Sequence, residues 1–119
     1  MSHSLVKDWK VVVKDHAKRR LIERWPQLDI QSKAEAEKML RYFVETGVVL
    51  RGQQIGMMLD TSRRMRKQTK VAVYNPILGG VIPVSMESGG YAHLLTVFPA
   101  EAKPKYKAMM ESLKEELTA

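Results

Sequence analysis

A histidine and two arginines recur at four-residue intervals near the start of the chain. They are His16, Arg20 and Arg24 in the stretch HAKRRLIER, and Glu23 lies among them. Because each residue of a helix advances about 100°, these four side chains would share an arc of about 100°. Histidine can move a proton near neutral pH, and arginine offers a charged planar fork to phosphate oxygens. Together they could activate a 2′-hydroxyl and stabilise the transition state of phosphodiester cleavage without a metal ion.

The same pattern also fits an ordinary amphipathic helix. Ala17, Leu21 and Trp25 fall on the opposite side of the predicted helix, and arginine–glutamate pairs at this spacing often form exposed ion pairs. Spacing alone therefore leaves open whether the polar face is solvated or functional. It also leaves open whether Arg19 or Arg20 faces a bound phosphate, because a small rotation of the helix exchanges them.

The elements that would position these side chains follow from periodicity and capping residues. Residues 9–13 (WKVVV) predict a short strand. Asp15 is the predicted N-cap of a helix, and Pro26 is predicted to end this helix. A second helix is predicted to begin at the capping box of Ser32 and Glu35 and to run to about residue 46.

Four later segments predict strands, at residues 48–60, 70–75, 81–87 and 91–98. Pro83 predicts that its strand lies at a sheet edge, since proline has no backbone N–H to donate. A last helix is predicted from residue 100 onward. The predicted fold class is α+β, with N-terminal helices packed on a four- to five-stranded antiparallel sheet and a C-terminal helix.

Length and composition narrow the class of protein. The 119 residues predict a single domain over residues 1–119, with its core in 8–99 and a C-terminal helix in 100–119. The chain has no cysteine, which excludes disulfides and thiolate sites and fits a cytoplasmic location. No apolar run approaches the roughly 20 residues that span a bilayer, so no membrane partner is expected. No Walker-type loop, HExxH motif or carboxylate cluster is present, so neither cofactor nor metal is expected.

The charge of the chain favours a polyanionic partner. The formal net charge is +7, and RNA is the partner that we expect. Five basic side chains between residues 63 and 70 could hold an RNA backbone: Arg63, Arg64, Arg66, Lys67 and Lys70. They would position RNA rather than recognise its sequence. The alternative for this segment is a solubilising loop.

Two motifs carry a resemblance to a known superfamily. The string His16-Ala17-x-x-Arg20-x-x-Glu23-Arg24 resembles the opening helix of small phage and mobile-element domains in the barnase–EndoU–colicin–RelE superfamily of RNases. The segment LLTVFP, with Thr96-Val97-Phe98, resembles the Thr-x-Tyr or Thr-x-Phe ending of the last core strand in that group. The resemblance covers residues 11–99.

The resemblance implies a metal-independent endoribonuclease of the toxin or phage-effector type, whose products carry a 2′,3′-cyclic phosphate. By position, His16 would be the general base or acid, and Arg20 would contact the scissile phosphate. Arg24 would be a second cation or a structural support, and Thr96 would bind the phosphate or orient the site. Glu23 would hold an arginine in place.

Two other functions remain open at this stage. A non-catalytic RNA- or ribosome-binding protein would need the basic residues 63–70 but not His16. An effector could instead bind a host protein, and an RNase of this type could have an acidic inhibitor as a partner. Shared architecture does not choose among these functions.

Other residues are weaker candidates for chemistry. His93, with Tyr91, is the alternative catalyst. Strand alternation points His93 and Thr96 to opposite faces unless a bulge intervenes. Tyr74 and Asn75 end a predicted strand beside a turn, where either could touch substrate.

Overall fold

The computed structural model describes residues 9–51 and 71–100, together with Glu111 and Glu115. Its elements are strand β1 (Lys10–Val13), helix α1 (Asp15–Arg24), a 3₁₀ turn (Pro26–Leu28), helix α2 (Lys33–Glu45), and strands β2 (Val48–Arg51), β3 (Val71–Asn75), β4 (Gly80–Glu87), β5 (Tyr91–Leu94) and β6 (Phe98–Pro99). The predicted α+β class is confirmed. Apart from the two glutamates, which are helical, the predicted C-terminal helix lies outside the described residues, as does the predicted strand beyond residue 51.

The described strands form one mixed sheet. Their order is β1-β5-β4-β3-β2, and β6 pairs with β4 beside β5. All neighbours are antiparallel except β1 and β5, which run parallel. The prediction of an antiparallel sheet is therefore wrong for this pair. Parallel neighbours need a long connection, and here both helices and three strands lie between β1 and β5 along the chain.

Helices α1 and α2 pack on one face of the sheet. Their buried apolar side chains join those of the strands in the larger core, which includes Ala17, Leu21, Ala36, Leu40, Phe43, Val73, Ile82, Val84, Ala92, Leu94 and Val97. This burial follows the helical spacing of the apolar residues in the sequence. A smaller group of buried side chains lies apart from this core, namely Leu50, Ala72, Tyr74 and Val81. Since these alternate along the strands with residues of the larger core, they face the other side of the sheet.

The two helices begin in different ways. The Ser32 hydroxyl accepts a hydrogen bond from the backbone N–H of Glu35 at 3.2 Å, which confirms the predicted start of α2 at Ser32. The Glu35 carboxylate accepts from the backbone N–H of Gln31 at 3.0 Å, one residue before the N–H that a capping box would use. Helix α1 has Lys14 at its N-cap and no side-chain cap, so the prediction that Asp15 caps it is wrong. Asp15 is the first helical residue, and its carboxylate instead binds Lys33 at 2.9 Å.

Strands β5 and β6 are two parts of one strand that is interrupted by a bulge. Leu94 lies opposite Val84 and Phe98 lies opposite Val81, which leaves three residues facing two. The extra residue interrupts the alternation of side chains between the two faces of the sheet. Leu94 and Val97 both contribute to the larger core, although they are three residues apart.

Pro83 lies inside β4, which is a central strand, so the prediction of an edge strand is wrong. Strand β4 has β3 on one side and β5 with β6 on the other. The Pro83 carbonyl accepts a hydrogen bond from Leu95 at 3.0 Å. Because the N and O atoms of a strand residue point to the same neighbour, the missing N–H of Pro83 falls at the bulge. A bulge is one of the few places where a sheet accepts proline.

Candidate functional site

Helix α1 lies between α2 on one flank and the bulge on the other. On the first flank, the Lys18 amine contacts the Glu37 carboxylate at 3.2 Å. On the second, Nη1 of Arg24 donates to the carbonyl of Val97 at 2.5 Å. The start of the helix is held by the Lys14 N–H, which donates to the Leu94 carbonyl at 3.3 Å. Residues 94–97 therefore run beside α1 along the flank that carries Arg24.

His16, Arg20 and Arg24 form a row along this helix, which we call the α1 row. His16 and Arg24 are exposed, and Arg20 is half-buried. Side chains four residues apart on a helix lie about 5–6 Å from each other at Cβ. His16 is exposed and makes no hydrogen bond or ion pair within the described part of the chain. Nη1 of Arg20 contacts Oε2 of Glu23 at 2.6 Å, so the predicted contact between Glu23 and an arginine is present. The row thus presents one imidazole with unused hydrogen-bonding capacity beside two positioned guanidiniums.

Arg24 is held by two groups of the last described strand. Besides its hydrogen bond to Val97, its guanidinium carbon lies 4.9 Å from the centre of the Phe98 ring. A cation over an aromatic face is stabilised by the ring quadrupole. Arg24 nevertheless remains exposed. Its side chain is therefore both positioned and accessible.

Arg19 lies on the side of α1 that faces α2. Its Nε is 3.4 Å from the Asp15 carboxylate, which also binds Lys33 of α2. The hydrogen bond from Lys33, reinforced by the charges of Lys33, Arg19 and Lys18, holds the pKa of Asp15 below its ordinary value. Of the two arginines that the sequence left open, Arg20 is the one in line with His16 and Arg24.

Thr96 lies within the bulge, beside the flank of α1 that holds Arg24. It is only 2% exposed, and its hydroxyl has no hydrogen-bond partner among the described residues. A phosphate at the surface does not reach this hydroxyl in the present arrangement. The role that stays a prediction for Thr96 is to orient the site.

His93 and Tyr91 lie on the other face of the sheet. Ala92 and Leu94 point into the core beneath the helices, so the side chains that alternate with them point away from α1. Tyr91 is 44% exposed, and the Lys10 amine lies 5.0 Å from the centre of its ring. The structure does not bring His93 together with the α1 row.

Asn75 is a structural residue rather than a substrate contact. It is fully buried, and its amide nitrogen donates to the Phe43 carbonyl and the Thr46 hydroxyl, both at 2.9 Å. Its amide oxygen accepts from the backbone N–H groups of Ile77 at 2.9 Å and Leu78 at 3.1 Å. The Asn-Pro dipeptide indicates the turn, but no local signal identifies the contacts with α2.

Tyr74 is also buried and belongs to the smaller core. Burial, and to a lesser extent the negative charge of Glu111, raises the pKa of its hydroxyl. This hydroxyl has no hydrogen-bond partner among the described residues. Since Tyr74 faces away from α1 and α2, it is not part of the α1 row.

Trp25 supports the site, although its apolar position in the sequence does not indicate this role. Its indole N–H donates to the Leu78 carbonyl at 2.9 Å, which ties the end of α1 to the turn after β3. A Cβ at Gly80 would lie 3.0 Å from the Trp25 ring, so the two pack closely. Pro26 follows and begins the 3₁₀ turn. Trp25 thereby fixes the end of the helix from which Arg24 projects.

Between the two long described ranges, the basic side chains lie in the one that contains α1 and α2. Residues 9–51 contain ten lysines and arginines, whereas residues 71–100 contain none. The basic cluster predicted to hold RNA, at residues 63–70, lies outside the described residues.

Within the described ranges, no group of three or more His, Cys, Asp or Glu side chains is arranged to hold a metal ion. Neither α1 nor α2 is long and apolar enough to cross a membrane. Comparisons with protein-family models, curated proteins and solved structures found no match for this chain. Its function is therefore inferred from its own residues.

Proposed function

We propose that this protein is a metal-independent endoribonuclease whose site is the α1 row. One observation carries the proposal: an exposed His16, which has no hydrogen-bond or ion-pair partner among the described residues, lies in line with Arg20 and Arg24. A positioned imidazole can exchange protons with substrate. Positioned guanidiniums can supply the positive charge that a phosphodiester transition state requires.

The proposed reaction is an attack of the 2′-hydroxyl on the adjacent phosphorus. His16 takes the proton of this hydroxyl as the bond from the 2′-oxygen to phosphorus forms. The bond from phosphorus to the 5′-oxygen breaks, and the departing oxygen takes a proton from water. The products are a 2′,3′-cyclic phosphate and a 5′-hydroxyl. Arg20 stabilises the charge on the non-bridging oxygens, a contribution that typically amounts to about 10²–10³-fold in rate for one such donor.

The charge of the chain supports RNA as the substrate. The net charge of +7 would attract a polyanion, and residues 9–51 contribute ten lysines and arginines against six acidic residues. We place the activity in the cytoplasm, on free or ribosome-associated RNA, in a protein of the toxin or phage-effector type. An acidic protein that covered the α1 row would inhibit it.

Incubation of purified protein with total cellular RNA in EDTA tests the proposal. The wild type should generate fragments with 2′,3′-cyclic phosphate ends, and His16→Ala should not. His93→Ala is the matched control, because it removes a histidine on the other face of the sheet and should leave cleavage intact. Equal cleavage by wild type and His16→Ala would contradict the assignment and direct attention to His93.

A second candidate function is non-catalytic binding of RNA or ribosomes. It is favoured by the ion pairs on α1: Asp15 and Glu23, the carboxylates nearest to His16 along the helix, are both engaged by cationic side chains. Neither is free to serve as the second proton-transfer group. This function predicts no cleavage by the wild type, together with an RNA affinity that falls with salt and is unchanged in His16→Ala.

A further inference from the structure

The two guanidiniums of the α1 row are held differently. Arg20 is bound at its edge by the carboxylate of Glu23 at 2.6 Å. Arg24 has no carboxylate partner among the described residues. Instead it lies over the Phe98 ring at 4.9 Å and donates one hydrogen bond, to the neutral carbonyl of Val97. The Phe98 ring approaches the Arg24 guanidinium carbon from one side, and Arg24 is exposed, so a second planar group can approach it from solvent.

We infer that the outer face of the Arg24 guanidinium stacks on a nucleobase, so that the site takes RNA with an unpaired nucleotide at this position. Planar guanidiniums stack on aromatic faces, and unpaired RNA bases stack on aromatic rings and arginine planes. A base within a duplex is already stacked between its neighbours and has no free face for the guanidinium. The inference rests on the proposed function and makes Arg24 a positioning residue, with phosphate contact left to Arg20.

The spacing of the row fits this division of roles. Arg20 and Arg24 are separated by four helical residues, or about 6 Å along the axis. A phosphate at Arg20 would therefore leave the base of an adjacent nucleotide near Arg24. Along the helix from its start, His16 transfers the proton, Arg20 binds the phosphate and Arg24 stacks on the base. The bulge and β6 support the last position, since the bulge supplies the Val97 carbonyl and β6 supplies the Phe98 ring.

The test compares two labelled strands by fluorescence anisotropy in EDTA. One is a 2′-O-methyl RNA, which cannot undergo 2′-hydroxyl attack, and the other is the same strand with abasic units at its centre. Both carry the same phosphate charge, so their difference in affinity reports base contacts. The wild type should bind the intact strand about 5- to 100-fold more tightly, the range expected from stacking of one base. Annealing a complementary strand should remove this preference.

Arg24→Lys keeps the positive charge and loses the plane. It should reduce the preference for the intact strand to less than about threefold, because only the stacking contribution is lost, while affinity for the abasic strand stays at the wild-type value. Phe98→Leu, which keeps Arg24 and removes the ring beneath it, should also lower the preference. Arg41→Lys is the matched control, since Arg41 lies on α2 with Glu37 as its partner, and it should behave as wild type.

The outcomes separate this inference from the proposed function. If Arg24→Lys and Phe98→Leu both keep the full wild-type preference, or if the wild type has none, the inference is overturned. In either case, cleavage of total RNA by the wild type would still support the proposed function. If the wild type neither binds these strands nor cleaves RNA, both are overturned together.

Discussion

Two polar regions of this protein differ in how their hydrogen-bonding groups are used. Asn75 is fully buried, and its side-chain amide makes four hydrogen bonds, all within the chain. In the α1 row, His16 is exposed and uses none of its hydrogen-bonding capacity within the described residues. A satisfied buried network specifies the fold, because a buried group that loses its partner stays unpaired in the interior. Exposed groups with spare capacity are the ones available to a ligand.

The largest expected effect lies in the α1 row and concerns catalysis. His16→Ala should lower kcat/KM for RNA cleavage about 10²–10⁴-fold, the usual contribution of a general acid–base residue. Its free energy of unfolding should stay within about 0.5 kcal/mol of wild type, as is usual for exposed residues. Initial rates and urea denaturation measure the two quantities. A variant that lost stability and activity in parallel would make His16 a structural residue and remove the contrast with Asn75.

The opposite pattern is expected at Asn75. Asn75→Ala should lower the free energy of unfolding by about 2–4 kcal/mol, because four hydrogen bonds to α2, its C-cap and the turn are lost, and two of them are buried. The fraction that remains folded should cleave RNA at the wild-type rate. Urea denaturation checks the first expectation, with Gln27→Ala at an exposed position as control. A loss below about 0.5 kcal/mol would show that the network does not stabilise the fold.

Gly47 tests the packing that supports the Asn75 network. A Cβ there would lie 2.4 Å from Cγ1 of Val73 and 2.9 Å from the carbonyl oxygens of Phe43 and Tyr74. Gly47→Ala should therefore destabilise the protein by about 1–3 kcal/mol through overpacking, with cleavage by the folded fraction unchanged. The measurement is the midpoint of thermal unfolding. An unchanged midpoint would mean that α2 and β3 can separate without cost at this position.

The smallest expected effect comes from the ion pairs between the helices. The hydrogen bond from Lys18 holds the pKa of Glu37 below its ordinary value of 4.5. The folded state therefore binds fewer protons than the unfolded state as the pH falls. The stabilisation is present above about pH 4.5 and is lost as the pH falls through the lower folded value. It should amount to less than about 1 kcal/mol, since the pair is partly exposed.

Urea denaturation at pH 7 and at pH 3.5 measures this dependence. Lys18→Met should reduce the part of the pH dependence that Glu37 contributes. The exposed Lys38→Met, on the same helix as Glu37, is the control and should keep it. An identical dependence in wild type and Lys18→Met would show that this pair does not couple folding to pH.

The elements that the sequence predicted correctly depend on residues close together in the chain. The α+β class, both helices, the Ser32 cap of α2, and the strands around residues 10, 73 and 84 all follow from local periodicity and capping. The alignment of His16, Arg20 and Arg24 is of the same kind, because four-residue spacing on a helix sets it. Whether these residues act on RNA is a property of their ligand, which no local pattern contains.

Only the tertiary structure decided which residues distant in the sequence form pairs. The parallel contact of β1 with β5, the bulge that accepts Pro83, and the burial of Thr96 all depend on which strands meet. Arg24 and Val97 are 73 residues apart, and Asn75 and Phe43 are 32 apart. Side-chain type and spacing determine which groups a helix presents. The partner of each group is decided only when the chain folds, because hydrogen bonds and ring contacts require proximity that sequence separation does not encode.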